Sequence, residues 1–555
     1  MRTWLRRRIV ATAVAALAAI DGLAATTYVD VANTSGVEDG TSLHPFNTIQ
    51  EGIDHAAQGD RVQVARGAYR ETLLMKDGVS VLGSGAQTTI IDATGLQNSV
   101  VTFNGTRLSP LLRGFTIKAG RGDQISESGG VPVYAGGGIL ILDSSPIINS
   151  NVITQNAITE GYCLGGGIYV RSNSAAPEIT DNVISGNVAR SATQPGSGEG
   201  GAVYIVTKTG SVVVEGNLIE SNQAVSGGAL YIDNAAASTV QVRRNVLRNN
   251  DAESGGAIFS KAVGGAISTI VNNLILGNGS DEAGAKGGGI VAYALGTGGF
   301  SIANDTLVDN GVAAGNGGAI WLDDSLSSYE SVVTNNIIDG NTALHGGGID
   351  HTAFSGEIRN NDFDGNAGAD LYDAGGSGAT LIGNLFTDPD FVSPLQADYR
   401  LLTVSPCIDA AHESAAPSND LDGFSRPFDG NGDLNDVSDI GAYEYPGGEV
   451  FGLTFLADGQ SLEWQMLALQ DGYDLYRGSL ARLRSTGEYT QDPLVEPMAA
   501  HFCDILPTAV PFADTFEPPS GAGVFYLTTV VVGGWEGPLG LSSVGLRRPN
   551  DHPCP

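Results

Sequence analysis

Between residues 130 and 370 the chain repeats one short pattern of small, apolar and polar positions. Two or three small residues, mostly glycine, are followed by an aliphatic residue and then, in most copies, a larger one. The pattern reads GGGIL from Gly136, GGGIY from Gly165, GGAVY from Gly200 and GGALY from Gly227, then GGAIF from Gly255, GGGIV from Gly287, GGAIW from Gly317 and GGGID from Gly346. A second motif lies between these: Asn or Asp, any residue, an aliphatic or Phe, two residues, Asn. It begins at Asn151, Asn182, Asn217, Asn245, Asn273, Asp305, Asn336 and Asn361. A period of about 25 to 35 residues marks a stacked architecture, in which each repeat buries its apolar side against its neighbours. The segments are short, β-branched and alternating, with Gly and Asn as punctuation, so they are strands and not helices. One coil of short strands per repeat gives a parallel β-helix. The last Asn of each motif (Asn156, Asn187, Asn222, Asn250, Asn278, Asn310, Asn341 and Asn366) is expected to form an internal amide ladder, because asparagine suits left-handed turns and stacked amides bond one another.

Strand alternation divides the glycine motif into two faces. Ile139, Ile168, Val203, Leu230, Ile258, Ile290, Ile320 and Ile349 are expected to point inward. Leu140, Tyr169, Tyr204, Tyr231, Phe259, Val291, Trp321 and Asp350 then point outward, and two residues further on the same face carries Leu142, Arg171, Val206, Asp233, Lys261, Tyr293, Asp323 and Thr352. Five of the first outward eight are aromatic in a chain that is 7% aromatic. Tyr169, Tyr204, Tyr231, Phe259 and Trp321, edged by Asp323 and by the charges of Arg171, Lys261 and Asp233, are candidates for holding a polysaccharide. Flat rings suit sugars, and flanking charges suit hydroxyls and carboxylates. The same column also reads as scaffolding, since aromatic ladders stabilise sheets. If the face instead performs β-elimination on a uronate, Lys261 and Arg171 are the base candidates, with His351 and Tyr293 behind them.

Composition narrows the partners. The chain has 555 residues, enough for two or three domains, with 28 Lys+Arg against 61 Asp+Glu. This acidic balance lacks the basic footprint of nucleic-acid binding. The N-terminus carries a basic MRTWLRRR, an apolar IVATAVAALAAI and a small-residue GLAA. That order predicts a signal peptide over residues 1–25 and hence a secreted or surface-held chain with no transmembrane span once mature. Its removal takes away four arginines and Asp21 and moves the net charge from −33 to −36. Export permits disulfides. Cys503 and Cys554 share one C-terminal segment and are expected to pair, whereas Cys163 and Cys407 are expected to be free or buried.

On these motifs the chain resembles the right-handed parallel β-helix repeats of the pectin-lyase-like superfamily, over about residues 26–390. The GGA-aliphatic and Asn signature is also similar to the repeats of polymorphic outer-membrane proteins, which are surface adhesins, and that resemblance implies an adhesive role beside a glycan-binding one. The opening YVDVANTSGVEDGTSLHPFNTIQEGIDHAAQGDRVQVARGAYRE resembles the start of many secreted β-helix proteins. The resemblance implies an amphipathic helix in FNTIQEGIDHAAQ that caps the first coil, with the first strand beginning at GDRVQVARGAY. It implies a carbohydrate ligand and, in the enzymes of the superfamily, a polysaccharide lyase or related activity in the groove. The sequence departs from those enzymes: a paired-aspartate hydrolase motif, an Arg-centred lyase motif and a DPH motif do not stand out.

Past residue 384 the repeat ends. DPDF, DYRL, SPCIDA and DIGAYEY, in order, resemble the choice-of-anchor Q module over residues 385–446, which implies a secreted or surface context. Within it DGNGDLND sets Asp429, Asn431, Asp433 and Asn435 at alternate positions, an oxygen-donor spacing that suits calcium. Residues 449–555 alternate short strands with Gly and Pro turns and resemble a fibronectin-type-III-like β-sandwich. The expected fold is therefore all-β: a single-stranded right-handed parallel β-helix over 26–384, followed by a small sandwich.

Overall fold

The computed structural model describes residues 24–554 apart from 353, 377, 403, 429, 431–434, 446–452, 465–471, 533–534, 537–538, 540–549 and 551. The expected leader and three of the four proposed calcium ligands, Asp429, Asn431 and Asp433, lie outside the described residues. Among the described residues no helix is long and apolar enough to cross a membrane.

From Thr26 to Ile382 the chain winds as a parallel β-helix. Each full coil gives one strand to each of three long sheets. The first sheet has 13 strands, from Thr26–Val29 to Thr380–Ile382; the second has 11, from Gly67–Tyr69 to Asp362–Asp364. The third, also of 11, runs from Leu73–Leu74 to Leu371–Asp373 and contains the glycine motifs; it is called the groove sheet below. At the N-terminal end helix α1 (Ile49–His55) buries Ile49, Gly52 and Ile53, with the Thr48 side chain accepting from the Glu51 amide. The capping helix is thus as expected. The sheet starts one strand earlier than the sequence suggested, because Thr26–Val29 pairs in register with Arg61–Val64.

The expected alternation holds throughout the groove sheet. Ile139, Ile168, Val203, Leu230, Ile258, Ile290, Ile320 and Ile349 follow one another in register and are wholly buried in the central core. The first glycine of each motif explains why nothing larger stands there. Gly227 has φ +65°, and a Cβ added to it would collide with the Leu230 carbonyl oxygen.

Two asparagine ladders run through the interior, where one was expected. In the expected ladder each Nδ2 donates to the Oδ1 of the next rung, as from Asn222 to Asn250 and from Asn250 to Asn278, at 3.0 and 2.9 Å. The second uses the first residue of each motif, from Asn151 through Asn182, Asn217, Asn245, Asn273, Asp305 and Asn336 to Asn361 and Asn384. The ladder asparagines are not themselves the left-handed residues. The residue just before each one is: Gly186 (φ 61°), Asn249 (54°), Gly277 (61°) and Asp309 (53°) precede Asn187, Asn250, Asn278 and Asn310. The turn swings the asparagine side chain inward, where its amide meets backbone carbonyls of the preceding coil, such as Ile184 O for Asn222.

The described residues between 385 and 445 fold back against the outer face of the second sheet. Leu274, Val308 and Ile337 join Phe391, Tyr399, Leu401, Cys407, Ile440, Ala442 and Tyr443 in one buried cluster. Backbone and amide bonds complete the seam: Gly441 N to Asn335 O at 2.7 Å, Ala442 N to Thr306 Oγ1 at 2.9 Å and Asn304 Nδ2 to Asp439 O at 3.0 Å. Beyond, Thr454–Phe455, Ser461–Glu463 and Phe512–Ala513 form one small antiparallel sheet. Gly472–Ser479, Ala500–Ile505, Val524–Val532 and Trp535–Glu536 form another. The tail also has a short helix, α2 (Leu480–Thr486), that its strand-like sequence did not suggest; the Ser479 side chain caps it and Gly487, at φ 79°, ends it. Cys503 and Cys554 are joined, with Cα atoms 5.7 Å apart, and Cys163 and Cys407 are free and buried.

Candidate functional site

The outer face of the groove sheet brings the predicted aromatic residues into one column. Tyr169, Tyr204, Tyr231 and Phe259 are Cα partners in consecutive coils. Their ring centroids are 5.3, 5.1 and 4.8 Å apart, and successive planes lie within 6° of parallel. At the next rung the column has Val291, which has no ring. Tyr293, two residues along the same strand, fills the gap: it lies 5.7 Å from Phe259 and 4.9 Å from Trp321. The run of rings from Tyr169 to Trp321 is therefore unbroken.

This geometry settles which surfaces are offered. The stacked rings turn their faces on one another, so those faces are not offered to a ligand. Tyr169, Tyr204 and Trp321 keep only 4%, 7% and 4% of their surface exposed, while Tyr231, Phe259 and Tyr293 are half-buried. Burial pushes the Tyr169 phenol up to about 12 and raises Tyr204 and Tyr231 further, so all three hydroxyls stay protonated hydrogen-bonding groups at neutral pH.

Polar columns flank the rings. On the downstream side Arg171, Val206, Asp233, Lys261, Tyr293 and Asp323 are successive Cα partners. Arg171 is bound to Asp143 at 3.2 Å, and Lys261 to Asp233 at 3.3 Å. Both base candidates are thus engaged within the protein. Tyr293 belongs to the ring column, and His351 lies away from the groove. His351 is the Cα partner of the core residue Leu322, is buried against Phe354, and has its pKa lowered by burial.

On the upstream side is a column that the pattern analysis did not identify. Leu164, Glu199, Ser226, Ser254, Lys286 and Asn316 bridge in sequence, and Asn316 pairs with His345. Each residue directly precedes a glycine motif, as in EGGAVY, KGGGIV and HGGGID, so its placement was there to be read. Glu199 has its pKa raised by burial, with Asp233 adding to the rise and Lys261 opposing it, which sets it across the rings from that pair. Lys286 Nζ sits 4.0 Å from the centre of the Trp321 ring, a cation–π contact. The ring column and its flanks, which carry Glu199 and Lys286 upstream and Arg171, Asp233, Lys261 and Asp323 downstream, are called the trough below. Such a trough can bind a polar chain through many weak contacts.

Of the proposed calcium ligands only Asn435 is described, and it is exposed. Among the described residues the one group of three metal-ligating side chains is Asp474, Cys503 and Cys554, and its two cysteines are spent on the disulfide.

Residues 124–307 match the family described as "Right handed beta helix region". The coil stack is a right-handed parallel β-helix. Among solved structures, the chain resembles XylC in complex with xylose at 11% identity, covering 76% of this chain and 98% of that one with a TM-score of 0.38. It resembles the pectate lyase Pel9A at 14% identity, covering 76% and 96% with a TM-score of 0.40. A third likeness is to the pectin methylesterase from carrot, at 11% identity, 65% and 88% coverage and a TM-score of 0.30. No curated protein matches the chain in sequence. At these identities and scores nothing of those proteins' chemistry transfers to this one.

Proposed function

We propose that the trough on the groove sheet binds a glycan chain, and that binding rather than catalysis is the activity of a chain exported to, or held at, the cell surface. The observation that carries this reading is the unbroken ring column from Tyr169 to Trp321 between two polar columns in register. Repetition at one rung per coil gives several shallow contacts in series, each worth on the order of 1 kcal/mol, which add through avidity. The second reading, elimination on a polyuronide, requires Lys261 or Arg171 to leave Asp233 or Asp143 and act as base. Residues 385–446 serve in this proposal as the choice-of-anchor Q module that their motifs resemble, with calcium held by Asp429, Asn431, Asp433 and Asn435.

A glycan array followed by calorimetry tests the proposal. Wild type binds at least one polysaccharide class, and Tyr231→Ala with Phe259→Ala weakens that binding while far-UV circular dichroism is unchanged. Formation of unsaturated products from a polyuronide, abolished by Lys261→Ala or Arg171→Ala, would establish the lyase reading instead.

A further inference from the structure

The aromatic column does not end at Trp321. Its next rungs are Asp350 and Tyr372, Cα partners in consecutive coils. A carboxylate thus stands between two rings, in a column that from Leu140 to Trp321 is built of rings and aliphatic groups. Asp350 is 0% exposed, and among the described residues no donor reaches either of its oxygens. Buried polar groups in folded proteins are almost always paired, and a buried carboxylate without donors is among the most costly arrangements.

The surroundings say what the missing donors are. Burial raises the Asp350 pKa to about 6, while His345 and Lys286 pull it down and Asp373 pushes it up. Two basic side chains therefore act on Asp350, yet neither forms an ion pair with it. They lie upstream of it: Lys286 rests on Trp321, and the His345 ring stacks on Tyr372 at 4.7 Å. Both are half-buried side chains. A metal cation is disfavoured here by the lysine. A uronate would bring its own negative charge against Asp350, in a trough already carrying Glu199, Asp233 and Asp323. Neutral hydroxyls meet neither objection, and a carboxylate can accept two at once.

We propose that Asp350 is a sugar-binding carboxylate at the C-terminal end of the trough, accepting hydroxyl hydrogen bonds from a neutral saccharide once the Lys286 and His345 side chains rotate off it. The proposal rests on the glycan-binding reading and narrows its ligand to neutral chains. Trp321 and Tyr372 bound the sugar along the column, and Lys286 and His345 donate to its remaining oxygens.

The test uses the full chain with cellohexaose, xylohexaose and mannohexaose as neutral probes and hexagalacturonate as the acidic one. Calorimetry is run on wild type, Asp350→Asn and Phe259→Ala. Asp350→Asn keeps the shape but can accept at only one oxygen. It is expected to weaken binding of a neutral hexaose about 10- to 100-fold with the melting temperature held or raised. In wild type, the same hexaose is expected to protect residues 345–351 from hydrogen exchange, a readout independent of how the variant folds. If Asp350→Asn binds as wild type, if the protection is absent, or if hexagalacturonate alone binds, the proposal is overturned while the trough reading stands. If none of the four probes binds wild type the proposal falls, and the trough reading falls with it only if the glycan array is blank as well.

Discussion

Asp305 occupies a rung that asparagine holds everywhere else in its ladder. Its Oδ1 accepts from the Asn273 backbone and side-chain amides at 2.7 and 2.9 Å, but its Oδ2 has no partner among the described residues. An asparagine would present a donating amide there. Burial raises the Asp305 pKa from 3.8 to about 7. Between those values the folded chain holds a proton that the unfolded chain has lost, so stability falls as pH rises through this window and levels off above it. Asp305→Asn is expected to raise stability by on the order of 2–4 kcal/mol at pH 8 and by little below pH 4, as read from urea melts across pH. Wild type and variant curves that run parallel would show that Asp305 is not the titrating group. The neighbouring ladder gives the opposite case. Asn222 donates to Ile184 O, Glu220 O and Asn250 Oδ1 at 2.9, 3.0 and 3.0 Å. Asn222→Ala removes these three bonds and takes the acceptor from the Asn187 N and Nδ2 donors, each 3.0 Å from Asn222 Oδ1, in a dry interior, and is expected to cost about 2–4 kcal/mol at every pH.

At the scale of the strand, one residue separates two kinds of side chain. Ile258 is wholly buried among the stacked aliphatic residues, whereas Phe259 is half-buried on the outside between Tyr231 and Tyr293. Ile258→Ala leaves a cavity that rigid coils above and below cannot close, and is expected to cost about 3–5 kcal/mol. Phe259→Ala opens to solvent and loses two ring contacts, an expected cost of about 1–2 kcal/mol. Equal losses in denaturant melts would mean that the two faces are not distinguished by burial. The inward set was legible because strand alternation fixes it within each repeat. The exposure of the outward set was not. Trp321 reads as a surface residue until Lys286, one coil away, is found lying on its ring. Ring orientation was equally hidden: a one-dimensional pattern places Tyr204 beside Tyr231 but says nothing of planes 3° from parallel. The second ladder could have been seen, since its residues open every motif quoted for the first.

At the scale of the molecule, the coil stack changes character where the next segment docks. At one outer position of the second sheet the earlier coils carry Thr154, Ser185, Glu220 and Arg248, and the last two form a salt bridge at 2.7 Å. The following coils carry Leu276 and Val308 at that position. With Leu274 and Ile337, these make an apolar patch that residues 385–445 cover through Tyr399, Leu401, Ile440 and Ala442. The switch is visible in NLILGN and DTLVDN, but its meaning needs the fold, because the covering residues lie more than 80 positions downstream of Val308. Buried polar groups lock the cover: Arg426, paired with Glu444 inside it, donates to Asn272 Oδ1 at 3.2 Å, and Asn304 and Asn335 reach across to Asp439 and His412. A chain ending at residue 386 therefore uncovers a contiguous apolar surface and loses those cross-bonds, whereas one ending at residue 445 keeps the patch covered and the bonds made. The shorter chain is expected to aggregate or to bind a hydrophobic dye strongly, and the longer one to remain monodisperse in light scattering with the melting temperature of its coils retained. Equal behaviour of the two truncations would show that the segment is a passenger on the coil stack and that Leu276 and Val308 tolerate water.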